Sequence, residues 1–71
     1  MAAQTRDRVR AAVAKLPDRQ RQALVLRRFH EMSQREIASA MEITEGAVES
    51  LLVRAMAALR GHLARELEDM A

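Results

Sequence analysis

The 71-residue sequence has no cysteine, tryptophan or tyrosine, and only one phenylalanine (Phe29), one proline (Pro17) and two glycines (Gly46, Gly61). Without cysteine there is neither a disulfide framework nor a thiolate zinc site, and His30 and His62 stand too far apart in the chain to form a ligand cluster. A single domain of this length, near the lower limit for a self-sufficient core, must then rest on packed apolar side chains, and no cofactor is expected. Scarce aromatics, with Ala, Leu, Arg and Glu dominant, leave almost no strand signal and predict an all-α fold. The longest apolar runs, such as residues 23–26, are too short for a bilayer, and no charged start followed by an apolar stretch reads as a signal peptide. A cytoplasmic protein with no membrane insertion is expected. Glycine-rich phosphate loops are missing and the carboxylates fall on solvent-type positions, which argues against an enzyme.

Charge is small in sum, at +2, but unevenly placed. Arg6, Arg8, Arg10, Lys15, Arg19, Arg21, Arg27 and Arg28 face only Asp7 and Asp18 in the first 28 residues, and the balance reverses afterwards. A basic half can track phosphates, or simply form a solvated helix face.

Val9, Val13 and Leu16 follow the i, i+4, i+7 spacing of one apolar stripe and predict a first helix over about residues 5–15. Pro17 stops it, since the residue before a proline avoids helical geometry and proline lacks an amide hydrogen. A second helix over about residues 18–30 draws its core from Ala23, Leu24, Leu26 and Phe29. Ser33-Gln34-Arg35-Glu36 is a capping box that opens a third helix, with Ile37, Ala38 and Met41 inward. Thr44 is a second N-cap candidate, so that helix is short. Beyond it Val48, Leu52, Ala55, Leu59 and Leu63 recur at helical spacing and make the fourth helix the longest, with Gly61 a place to bend or end it and Glu66 to Ala71 expected to fray.

Two short helices joined by a tight turn, the second able to enter DNA, have fixed apolar positions, and Ile37, Ala38, Met41, Ile43, Val48 and Leu51 or Leu52 occupy them. The turn falls at Glu42 to Thr44, where many such motifs carry glycine because positive φ is convenient; Glu42 is strained if φ is positive. On a wheel of 100° per residue Gly46, Glu49, Ser50, Val53, Arg54 and Ala57 lie opposite the apolar side. Small residues at Gly46, Ala47 and Ser50 permit close approach to a major groove. Arg54 can bind a phosphate or guanine, and Glu49 can accept from a cytosine amino group. Thr44 and the amides at the helix start suit a phosphate.

Three blocks carry a resemblance to a known family. Leu16-Pro17-Asp18-Arg19-Gln20-Arg21-Gln22-Ala23-Leu24-Val25-Leu26-Arg27, Met32-Ser33-Gln34-Arg35-Glu36-Ile37-Ala38, and Gly46-Ala47-Val48-Glu49-Ser50-Leu51-Leu52-Val53-Arg54-Ala55 with Leu59-Arg60 resemble region 4 of extracytoplasmic function sigma factors. The resemblance implies a compact four-helix domain, with its helix-turn-helix at about residues 33–60, that is a C-terminal fragment of a longer sigma factor. It further implies binding to the minus 35 element of promoter DNA, docking on the flap of the RNA polymerase β subunit, and control by an anti-sigma factor. Carried over by position, Thr44, Glu45, Gly46, Ala47, Glu49, Ser50, Val53 and Arg54 face DNA and Arg35 meets the backbone. Where many members have Thr, Lys and Arg, this sequence has Ala47, Glu49 and Leu51, and Met56 stands where another Arg is common. Phosphate neutralisation is then weak, which favours tethering to polymerase over free DNA binding. A sigma-like interaction module that binds its protein partners without reading DNA is the alternative.

Overall fold

The computed structural model describes residues 2–70, and the side chains of residues 5–65. Its four helices run in the order α1 (Ala2–Ala14), α2 (Asp18–Arg28), α3 (Gln34–Met41) and α4 (Glu45–Met70), with no strand among the described residues.

Each boundary has a local chemical cause. The last turn of α1 tightens as the amides of Lys15 and Leu16 donate to the carbonyls of Ala12 and Val13, at 3.1 Å each, and Leu16 turns into the core. Pro17 follows in extended geometry (φ −55°, ψ 147°) and accepts the first bond of α2 from the Arg21 amide. Arg21 bridges the corner: its guanidinium reaches Asp18 at 2.8 Å and the Ala14 carbonyl at 3.4 Å. An exposed pair of this kind contributes little, so the corner owes its shape mainly to Pro17 and buried Leu16. At the far end Arg27 and Arg28 complement the dipole of α2, and the Arg27 guanidinium donates to the Met32 carbonyl at 3.1 Å, holding the connection to α3.

The capping box forms as the sequence predicts: the Ser33 hydroxyl accepts from the Glu36 amide at 3.1 Å, and the Ser33 amide donates to the Glu36 carboxylate at 2.9 Å. The Ser33 amide, and to a lesser degree the Ser33 hydroxyl beside the carboxylate, favour the ionised form of Glu36 and hold its pKa below the ordinary value. At the end of α3, Glu42 takes the left-handed conformation (φ 58°, ψ 45°), and the Ile43 amide closes back on the Ala38 carbonyl at 3.0 Å. Glu31, in the α2–α3 connection, also has positive φ (53°).

Helix α4 joins two apolar clusters into one core. Val48 packs with Ala23, Ile37 and Ala38, and half-buried Leu26, Met32, Met41, Ile43, Leu51 and Leu52 surround them. Ala55 and Leu59, further along α4, pack with Ala12, Val13, Leu16 and Leu24, flanked by Val9, Met56 and Leu63. Thus α2, α3 and the first half of α4 form one end of the domain; α1, α2 and the second half of α4 form the other.

Three sequence expectations change. Helix α2 ends at Arg28 rather than His30, which leaves Phe29 at its C-cap and 57% exposed instead of buried. Gly61 neither ends nor interrupts α4; only the Arg65 side chain approaches the position a Cβ would take, at 3.9 Å. Helix α1 begins earlier than the stripe indicates, at Ala2. The helical backbone reaches Met70, and the side chains of the expected fraying segment lie outside the described residues. No helix is long and apolar enough to cross a membrane among the described residues.

Candidate nucleic-acid interface

The start of α4 is built to stand clear of the core. Thr44 caps it, its hydroxyl accepting from the Ala47 amide at 3.0 Å, and the Thr44 carbonyl takes the Val48 amide at 3.0 Å. The Gln34 side-chain amide donates to the Glu45 carbonyl at 3.0 Å and so ties the first residue of α3 to the first residue of α4. With Ile37, Ala38 and Val48 buried between them, the two helices are held by this bond and by their packed faces.

That arrangement decides where each sequence-predicted residue lies. Glu45, Gly46, Glu49, Ser50, Val53 and Arg54 are all exposed on α4; Ala47 is half-buried; Thr44 is exposed at the cap and engaged in it; Arg35 is exposed on α3. The side chains of Glu49, Ser50 and Arg54 have no hydrogen bond or ion pair among the described residues, so their donors and acceptors are open to a ligand. The Glu45 and Gly46 amides at the helix mouth are the orphan donors of any helix start. Glu42, Glu45 and Glu49 put three exposed carboxylates around the same end, where the positive end of the helix dipole partly offsets them.

Two surface concavities lie away from this face. One, of about 280 Å³, is lined by Val9, Val13, Leu24, Arg28, Phe29, Met56 and Leu59, and a neighbouring hollow adds Thr5, Arg6 and Arg10 beside Phe29. The other, of about 640 Å³, lies between α2 and α3 against Arg21, Gln22, Val25, Leu26, Ala40 and Met41. The sequence carries surplus apolar residues on the first two helices, such as Val25, which lines the second concavity. It does not point to Phe29 as a wall, because Phe29 reads there as core. The signal that places it outside is the three-residue distance back from the capping box at Ser33, too short for α2 to extend and still connect.

These features define a helix-turn-helix domain, with α3 as its first helix and α4 as its second. The family model described as sigma-70, region 4 matches residues 6–59, most of the chain, and the chain belongs to that family. It is a family of transcription factor domains rather than enzymes, with a DNA-binding role in promoter recognition and an association with RNA polymerase. No curated protein and no solved structure matches the chain.

Proposed function

We propose that this domain is the promoter-reading end of an alternative sigma factor of the extracytoplasmic function group. It acts in the cytoplasm, reads the minus 35 element within the RNA polymerase holoenzyme, and is controlled by an anti-sigma factor. The observation that carries the DNA reading is the exposed row Glu49, Ser50, Val53 and Arg54 on a helix whose opposite side is locked to α3. Arg54 and Ser50 stand one turn apart and supply the donors; Glu49 supplies an acceptor suited to a cytosine amino group. Arg35 on α3 and the amides at the start of α4 suit phosphates on either side. The concavity around Phe29, apolar inside and edged by Arg6, Arg10 and Arg28, suits an apolar helix of the β flap that carries acidic residues. It lies on the α1 end of the molecule, so polymerase and DNA need not compete.

The carboxylates of Glu42, Glu45 and Glu49 favour one other reading, a sigma-like module that keeps its protein partners without reading DNA. Transcription from a promoter library by holoenzyme carrying Arg54→Ala or Glu49→Lys separates the two. Loss of a base contact by Arg54→Ala costs about 1 to 3 kcal/mol and relaxes preference at one position, whereas loss of a phosphate contact weakens all promoters alike. Glu49→Lys shifts the preferred base if Glu49 reads cytosine, and raises output everywhere if it merely repels phosphate. If neither variant changes output or preference, the interaction module replaces promoter reading.

A further inference from the structure

Val53 is 62% exposed, one of two large apolar side chains so exposed among the described residues. Unlike the other, Phe29, it lines none of the concavities described above; it belongs to neither core cluster, and it stands about 140° round α4 from fully buried Val48. Its neighbours one turn away on the exposed side are Ser50 and Ala57, both too small to shield it, with Arg54 and Glu49 flanking. A β-branched residue there gains nothing for the helix, since alanine is the better helix former. What it does offer is a pair of methyl groups fixed by the backbone, because valine in a helix keeps essentially one rotamer and orders nothing further on binding.

We infer that Val53 reads thymine, its methyl groups packing on the C5-methyl of one thymine in the major groove. The inference rests on the DNA-reading role proposed above and goes past it to the base recognised. Among the four bases only thymine presents an apolar group in the major groove. Valine can neither donate nor accept a hydrogen bond, so it cannot satisfy the amino group of cytosine or adenine and penalises burying one against itself. Arg54 and Glu49, beside it, discriminate by hydrogen bonding, and Val53 supplies the one element of the row that does so by shape and hydration. The recognised sequence therefore contains a thymine next to positions read by polar contact.

The test selects, from a library randomised at the minus 35 element, the promoter duplexes bound by RNA polymerase holoenzyme that carries this chain as its region 4. Each thymine of the selected duplex is then replaced singly by deoxyuridine, which removes the methyl and nothing else. One replacement is expected to weaken wild-type binding about three- to fivefold, the worth of one methyl group taken out of water. Val53→Ala is expected to lose a similar factor on the thymine duplex and to be indifferent to that same replacement, while its thermal melt stays that of wild type. In a duplex with cytosine at that position, 5-methylcytosine is expected to bind wild type more tightly than cytosine does. If the selected duplex binds but no thymine is methyl-sensitive, or Val53→Ala senses each replacement as wild type does, the thymine assignment falls and DNA reading stands. If wild type enriches no sequence at all, the DNA-reading role falls and the thymine assignment with it.

Discussion

Val48 and Val53 allow the same chemical deletion to be made twice on one helix, five residues apart, with opposite consequences. Val48 is fully buried among Ala23, Ile37 and Ala38; Val53 is 62% exposed. Trimming either to alanine removes two methyl groups and raises helix propensity equally, so propensity cancels in the comparison. At Val48 the transfer term is about 1.6 kcal/mol at roughly 0.8 kcal/mol per carbon, and a cavity term raises the loss to about 2 to 3 kcal/mol. A chain of 71 residues has on the order of 4 to 10 kcal/mol of total stability, so the variant still folds at room temperature but melts about 10 to 20 °C lower. At Val53 the change stays within about 0.5 kcal/mol, and the gain in propensity makes it neutral or slightly stabilising. Thermal melts by far-ultraviolet circular dichroism at one concentration and pH measure both. A Val48→Ala melt like wild type, or a Val53→Ala melt lowered as far as that of Val48→Ala, refutes the rotational placement of α4 and with it the assignment of its outer face.

The other expectations concern strain, pH and salt. Glu42→Gly relieves a left-handed non-glycine conformation that costs about 1 to 2 kcal/mol and returns part of that as unfolded-state entropy, so urea denaturation should show a net gain of about 0.5 to 1 kcal/mol; a loss would mean that the Glu42 side chain holds the turn. Because its pKa is lowered in the folded chain, Glu36 adds stability that is complete above the ordinary carboxylate value of 4.5 and disappears as pH falls through the lowered one. The melting gap between wild type and Glu36→Gln should therefore close on going from about pH 6 to about pH 2, and a gap independent of pH would contradict the charge-assisted cap. Arg35 and Arg54 are the two cations in the DNA-facing set, so log binding constant against log salt should have a slope near −2. A slope steeper than about −5 would show the basic α1 and α2 surface lying on the DNA backbone instead.

Much of the architecture is legible in the sequence because its determinants are local. Pro17 and the Ser33–Glu36 box act within a turn of themselves, and the apolar recurrence from Val48 to Leu59 gives the rotation of α4 without reference to anything else. The site of positive φ at Glu42 is legible from where the helix-turn-helix must turn. Glu31 is not, since nothing in glutamate signals that geometry, and it arises from the closure of a short connection that the Met32 amide and carbonyl pin to Leu26 and Arg27. Phe29 misleads for a related reason: hydrophobicity says core, while the end of α2 one residue earlier puts it outside the buried stripe. The Gln34 to Glu45 bond, which ties the start of α4 to the start of α3, joins residues eleven apart and depends on the packing of α3 on α4 rather than on any local pattern.

Helix α4, like α2, contributes to both core clusters, and Val48 and Leu59, which anchor it in each, are separated by about 16 Å along its axis. It therefore behaves as a keyed shaft, seated in one bearing made by α2 and α3 and in another made by α1 and α2. Whatever grips the α1 end sets the angle at which the other end meets its target, with no hinge between them to absorb error. Substitutions along the exposed side leave that alignment intact. One residue inserted between Leu52 and Ala55 would turn the two ends about 100° out of register, so that only one bearing could be filled at a time. Length in this stretch is thus a stricter requirement than identity.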